Sequence, residues 1–193
     1  VHATVAPTAT LADLLPATRL RAVSLVVGAA ALTAIGAQIS VQIPGTPVPV
    51  TLQTFAVLLA GAALGTKLGV ASQVLYLAVG AAGAPIYADG EGGWAAATGG
   101  TAGYLVGFVV AAAVVGWLAE RGHDRRVLTS VPAMLAGSAI IYALGVSWLA
   151  HSYDMSASAA IDAGLTPFLG GDLVKLAAAG LLLPGAWALA RRD

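Results

Sequence analysis

Residues 22–41 (AVSLVVGAAALTAIGAQISV) contain no ionisable side chain. A bilayer core about 30 Å thick is crossed by a helix of about 20 apolar residues, so this run has the length and character of a membrane span. The feature recurs. Residues 52–64 and 69–82 are apolar and are closed by Gly65-Thr66-Lys67 and Gly83-Ala84-Pro85, and apolar runs follow at 101–118, 127–150 and 169–190. With 9% charged residues, against about 25% in soluble domains, the chain has too little polar surface to face water. Its 24 glycines and its alanine runs suit helices that approach closely in lipid. These patterns predict an all-α integral membrane protein with six transmembrane helices over 22–190, between a segment 1–21 and a tail 191–193. One long kinked hairpin over 52–82 fits the same residues nearly as well.

The segments between the runs are of two kinds. Residues 43–51 (IPGTPVPVT) hold three prolines in nine positions, and proline fixes φ and lacks the N–H, so this stretch is a loop or extended. Residues 84–100 and 151–168 are polar and predict loops. The first twenty residues lack the basic start and apolar core of a signal peptide and are expected not to be one, while Asp13 and Pro16 are expected to open a short surface helix. Six crossings place both termini on one side, together with Arg19, Arg21, Lys67, Arg121, Arg125, Arg126, Arg191 and Arg192, eight of the nine basic residues. The opposite loops carry Asp89, Glu91, Asp154 and Asp162 and no Lys or Arg. The positive-inside rule makes the basic side cytoplasmic.

Only Asp172 and Lys175 place charges inside a span. Ionisable residues at membrane depth cost several kcal/mol unless paired, so they are rare and usually functional. Their i, i+3 spacing sets both on one helical face, within about two turns of the helix end. Mutual neutralisation is the structural alternative, and a ligand site is the stronger reading. The second candidate is the loop 84–100, where Asp89 and Glu91 supply acceptors, glycines allow tight folding, and Tyr87, Trp94 and nearby Tyr104 offer apolar walls. Gln53 and Gln73 sit in apolar runs and need polar partners if buried. Small-xxx-small faces occur at Ala30/Ala34, Gly61/Gly65 and Gly103/Gly107.

Other chemistry is excluded. With no cysteine there is no disulfide or thiolate site. No G-x-x-x-x-G-K-[ST] loop is present, so the chain does not itself hydrolyse ATP, and the three histidines stand apart, without metal-binding spacing. No G-x-S-x-G context marks a nucleophile. Zero net charge gives no field to attract nucleic acid. No resident cofactor is expected.

The segment TPVPVTLQTFAVLLAGAALGTKLG (46–69) resembles the BioY family, the biotin-specific substrate-binding (S) components of energy-coupling-factor (ECF) transporters. The likeness continues, in the family's order, through LYLAVGAAGAPIYADGEGG (75–93), GGTAGYLVGF (99–108) and PFLGGDLVKLAAAG (167–180). It implies a six-helix bundle in a prokaryotic plasma membrane, a biotin pocket near the extracellular face, and partnership with a membrane coupling subunit and two cytoplasmic ATPases. The loop between the first two helices would cover the site. Asp172 and Lys175 match the family's acid and lysine, Glu91 falls on a polar contact of its glycine-rich loop, and Ala30 and Ala34 would meet the coupling subunit. Gln53, Tyr87, Trp94 and Tyr104 complete the expected binding set. The family's G-P-T-G-G-Y reads Gly99-Gly-Thr-Ala-Gly-Tyr104 here, and Leu105 follows where some members carry an arginine, so an anchor for the biotin carboxylate is missing at that point. The alternatives are an S component for another vitamin and a stand-alone ion-coupled transporter.

Overall fold

The computed structural model describes residues 9–190; the segment 1–8 and residues 191–193, including Arg191 and Arg192, lie outside the described residues. The elements run α1 (Arg19–Gln38), β1 (Ser40–Val41), β2 (Val50–Thr51), α2 (Gln53–Ala81), α3 (Trp94–Ala97), α4 (Ala102–Ala119), α5 (Val127–Ser152), α6 (Ala157–Gly164) and α7 (Leu169–Ala190). Among the described residues, five helical stretches are long and apolar enough to cross a membrane.

The run 52–82 folds back on itself. Gly65 leaves the helical region at φ 77°, a conformation that only glycine adopts without strain, and α2 reverses there. Two observations establish the reversal. Gln53 Nε2 donates to Tyr76 Oη at 2.7 Å across 23 positions, and a methyl placed on Gly69 would lie 3.1 Å from the Gly61 Cα. After the break the helix restarts at Thr66, whose N–H donates to Glu120 Oε1 at 2.8 Å. A carboxylate at a helix N-terminus satisfies an orphan donor and complements the helix dipole.

α4 is the most enclosed span, held between α2 and α5. Its contact with α2 is made by backbone. A methyl on Gly61 would stand 2.9 Å from the Ala112 oxygen, and one on Gly116 would stand 2.5 Å from the Thr66 nitrogen. α1 and α7 lie at the periphery and turn Leu20, Val23, Val27, Leu173, Val174, Leu181 and Leu189 outward. In water such a surface would be costly; in lipid it is the favourable one.

Three sequence expectations are corrected. The segment 151–168 is not all loop: α6 lies within it, capped by the Ser156 hydroxyl accepting from the Ala159 N–H, with Ala160, Ala163 and Gly164 buried on one face. Asp13 does not open the surface turn at Leu11–Leu14 but lies inside it, its carboxylate accepting from the Thr10 N–H and hydroxyl. α1 starts at Arg19, three residues before the uncharged run, because the Thr18 hydroxyl caps it by accepting from the Arg21 N–H.

Candidate ligand-binding site

At the end of the bundle away from Gly65 the helices part around a cavity of about 900 Å³, its open mouth included. α7 supplies its charge. Asp172 is 4% exposed and sits in the helix's first turn; Lys175 is one turn further along, and their Oδ1–Nζ separation is 2.8 Å. Each has a second partner. Tyr142 Oη on α5 donates to Asp172 Oδ2 at 2.5 Å, and Lys175 Nζ donates to the Thr51 carbonyl at 2.6 Å. The attraction within a buried pair repays its desolvation only when further hydrogen bonds of this kind satisfy the remaining lone pairs and protons. Both side chains line the cavity.

The walls are aromatic. Tyr104 and Tyr142 meet edge to face at 6.3 Å, and Phe168 lies 6.0 Å from Tyr142. Across the cavity Tyr76 and Tyr87 form a second edge-to-face pair at 5.5 Å. Each tyrosine hydroxyl is tied down: Tyr104 donates to the Gly164 carbonyl, Tyr87 to Leu77 and Tyr76 to Ile86. Burial pushes the Tyr87 phenol above its ordinary 10.0. Rings locked this way give a preformed surface for an apolar ligand body.

Two loops cover the mouth. β1 and β2 pair antiparallel, Ser40 with Thr51 and Val41 with Val50, so the proline-rich segment between them forms a hairpin over the cavity. Ser40 Oγ donates to Asp89 Oδ1 at 2.6 Å and Gln42 Nε2 to Asp89 Oδ2, which fastens this hairpin to the loop after α2. On its other side Thr46 Oγ1 donates to the Ala163 carbonyl of α6 at 2.6 Å.

Six of the seven binding residues expected from the sequence therefore converge: Asp172, Lys175, Glu91, Gln53, Tyr87 and Tyr104 all line the cavity. Trp94 does not; it is 73% exposed at the start of α3. Ala30 and Ala34 turn inward, Ala30 buried in the core and Ala34 packed against it, while Gly28 on the other face has nothing within 4 Å. The sequence reading missed Tyr142, Tyr76, Phe108 and the Thr51 carbonyl. Gln73 is satisfied within the bundle by Thr33 and Ser72, as a structural amide.

A helical bundle with an apolar belt and a lidded pocket holding one buried ion pair defines a class: membrane proteins that enclose a small polar-headed solute. The sequence model of the BioY family matches residues 8–192, and the chain belongs to that family. It is 43% identical over 164 residues, 85% of this chain and 94% of the relative, to the probable biotin transporter BioY of Pyrococcus horikoshii. It is 41% identical over 152 residues, 79% of this chain and 87% of the relative, to the biotin transporter BioY of Thermotoga maritima. The crystal structure of an S-component for biotin from an ECF-type ABC transporter superposes with a TM-score of 0.78 over 90% of both chains at 22% identity, which shows the shared fold. The protein is a multi-pass membrane protein of transporter kin.

Proposed function

We propose that this chain captures biotin and carries it across the membrane as the substrate-binding component of an ECF-type transporter. The observation that carries the reading is the Asp172–Lys175 pair, opened on a cavity with aromatic walls. The ureido ring of biotin has two N–H donors and one carbonyl acceptor, which complement a carboxylate and an ammonium side by side. The thiophane ring and valeryl chain suit the tyrosine and phenylalanine walls. The named relatives support the same ligand.

In this reading α2 counts as two crossings joined at Gly65, residues 22–190 form one six-helix binding domain, and both termini lie in the cytoplasm of a prokaryotic cell. The positive-inside distribution supports that orientation, with the pocket outward. Energy comes from a coupling subunit in the membrane and two cytoplasmic ATPases. Because Ala30 and Ala34 face the core, their contact with a coupling subunit requires α1 to turn or shift on docking. Calorimetric titration of the detergent-purified chain with biotin, thiamine and riboflavin tests the proposal. Tight, near-stoichiometric heat with biotin alone is expected, and a folded sample silent to biotin would sink it.

A further inference from the structure

The cavity is poor in positive charge. Among the described residues its charged side chains are Asp89, Glu91, Asp172 and Lys175, three carboxylates to one ammonium. Two of the three N–H donors of that one ammonium are engaged, 2.8 Å from Asp172 and 2.6 Å from the Thr51 carbonyl, which leaves one donor for a ligand acceptor. An anionic ligand group brought to Lys175 would also stand close to Asp172, and like charges at such separation disfavour each other's ionised form. The mouth offers no relief, since Asp89 and Glu91 are exposed there and, among the described residues, no Lys or Arg lines the cavity besides Lys175. On the wall, Leu105 is apolar and buried.

We infer that the site recognises biotin by its ureido head alone and accepts neutral tail derivatives, biotin amides and esters, as readily as the free acid. The inference rests on the biotin reading above and concerns the substrate class of that same site. A dipolar pair fits a neutral head with adjacent donors and acceptor, whereas a tail carboxylate placed beside Asp172 meets a like charge that an amide or ester does not. Chains bearing biotin in amide linkage thus belong to the same ligand class, so long as the tail leaves through the mouth between the two loops.

The test is competition on the detergent-purified full chain loaded with labelled biotin, with biotin, biotin amide and biotin methyl ester as competitors. The amide and the ester are expected to displace the label within tenfold of biotin itself. Displacement more than tenfold weaker, with labelled biotin tightly held, would overturn the inference and show that the tail carboxylate is anchored. Failure of the biotin reading is distinguishable, because labelled biotin then does not bind before any competitor is added. Glu91→Gln, on the exposed loop, gives a second readout that does not depend on absolute affinity. Removing a rim acid is expected to raise the preference for acid over amide about threefold, and a fall in that preference would overturn the proposal.

Discussion

The two ends of the bundle are built from different materials. Around Gly65 the helices touch backbone to backbone: Gly61 on Ala112, Gly69 on Gly61, Gly116 on Thr66. Around Asp172 they are held apart by tyrosine rings and meet through hydrogen bonds between side chains and carbonyls. Glycines at the pocket end make room for rings instead: a methyl on Gly145 would stand 2.3 Å from the Tyr104 ring and one on Gly80 2.3 Å from the Tyr87 ring, while Gly170 and Gly171 on α7 have nothing within 4 Å. One end is closed by removing side chains; the other is kept open by large ones whose polar tips are satisfied. Close packing gives the spans a rigid frame in lipid, where no hydrophobic force drives helices together. The propped end can then hold an enclosed solute without collapsing.

The sharpest way to break this comparison is to add one methyl at each end. Gly116→Ala drives a Cβ to 2.5 Å from the Thr66 nitrogen and 2.6 Å from the Gly65 carbonyl carbon, backbone that cannot swing aside. Overpacking of this kind costs about 2 kcal/mol, roughly 6 °C in the thermal midpoint for a chain of this length. Gly170→Ala meets nothing and should leave the midpoint unchanged or slightly raised, as helical alanine usually does. Thermal unfolding in detergent reads both, and equal losses at the two ends would erase the distinction.

At the pocket end the effect should fall on ligand as well as on fold. Tyr142→Phe keeps the ring and removes the proton donated to Asp172 Oδ2. A buried acceptor left unpaired costs about 1–3 kcal/mol of stability, and with Asp172 no longer held against the ligand biotin affinity should also drop about tenfold, read by calorimetry. The lid comes next. Asp89→Ala cuts the ties to Ser40 and Gln42, which are exposed and worth about 1 kcal/mol. Ligand release should quicken about fivefold in a chase experiment, with little change in the association rate.

The smallest effect belongs to the closely packed end. Asp124, in the α4–α5 connection, is 1% exposed and accepts from Trp187 Nε1 at 2.5 Å. Burial raises its carboxyl above the ordinary 3.8, while the Trp187 hydrogen bond and the charges of Arg125 and His123 oppose the shift. An acid with a raised folded-state value holds its proton more tightly when folded. Its contribution to stability is therefore fullest below pH 3.8 and declines as pH rises through the folded value. Asp124→Asn should flatten that decline, seen as a midpoint difference from the unmodified chain that grows with pH and then levels off.

Much of this contrast was legible in the sequence, for reasons that differ by residue. The last span opens at Leu169 as expected because Thr166-Pro167 punctuates the chain before it, and the charges at 172 and 175 stand out against an apolar run. Gly65-Thr66-Lys67 marked a break, but whether it was a kink or a reversal depended on the Gly61–Gly69 approach, which no local pattern encodes. Tyr142 and Phe108 escaped notice because an aromatic inside an apolar span looks like core until a cavity is found beside it. The Thr51 carbonyl belongs to the backbone and has no sequence signature. α6 was hidden by its polar residues, since only the 160/163/164 face meets the bundle. Trp94 looked like a wall of the site, yet Gly93 at φ 91° turns the chain so that the indole faces outward.

The central claim is that the ion pair on α7 is the ligand's docking point and not only a structural neutralisation. Biotin titration of Asp172→Asn and Lys175→Ala, each checked for folding by its thermal midpoint, tests this most directly. The account predicts that both variants stay folded and lose biotin affinity by a hundredfold or more, about 3 kcal/mol. Folded variants that bind biotin as tightly as the unmodified chain would contradict it.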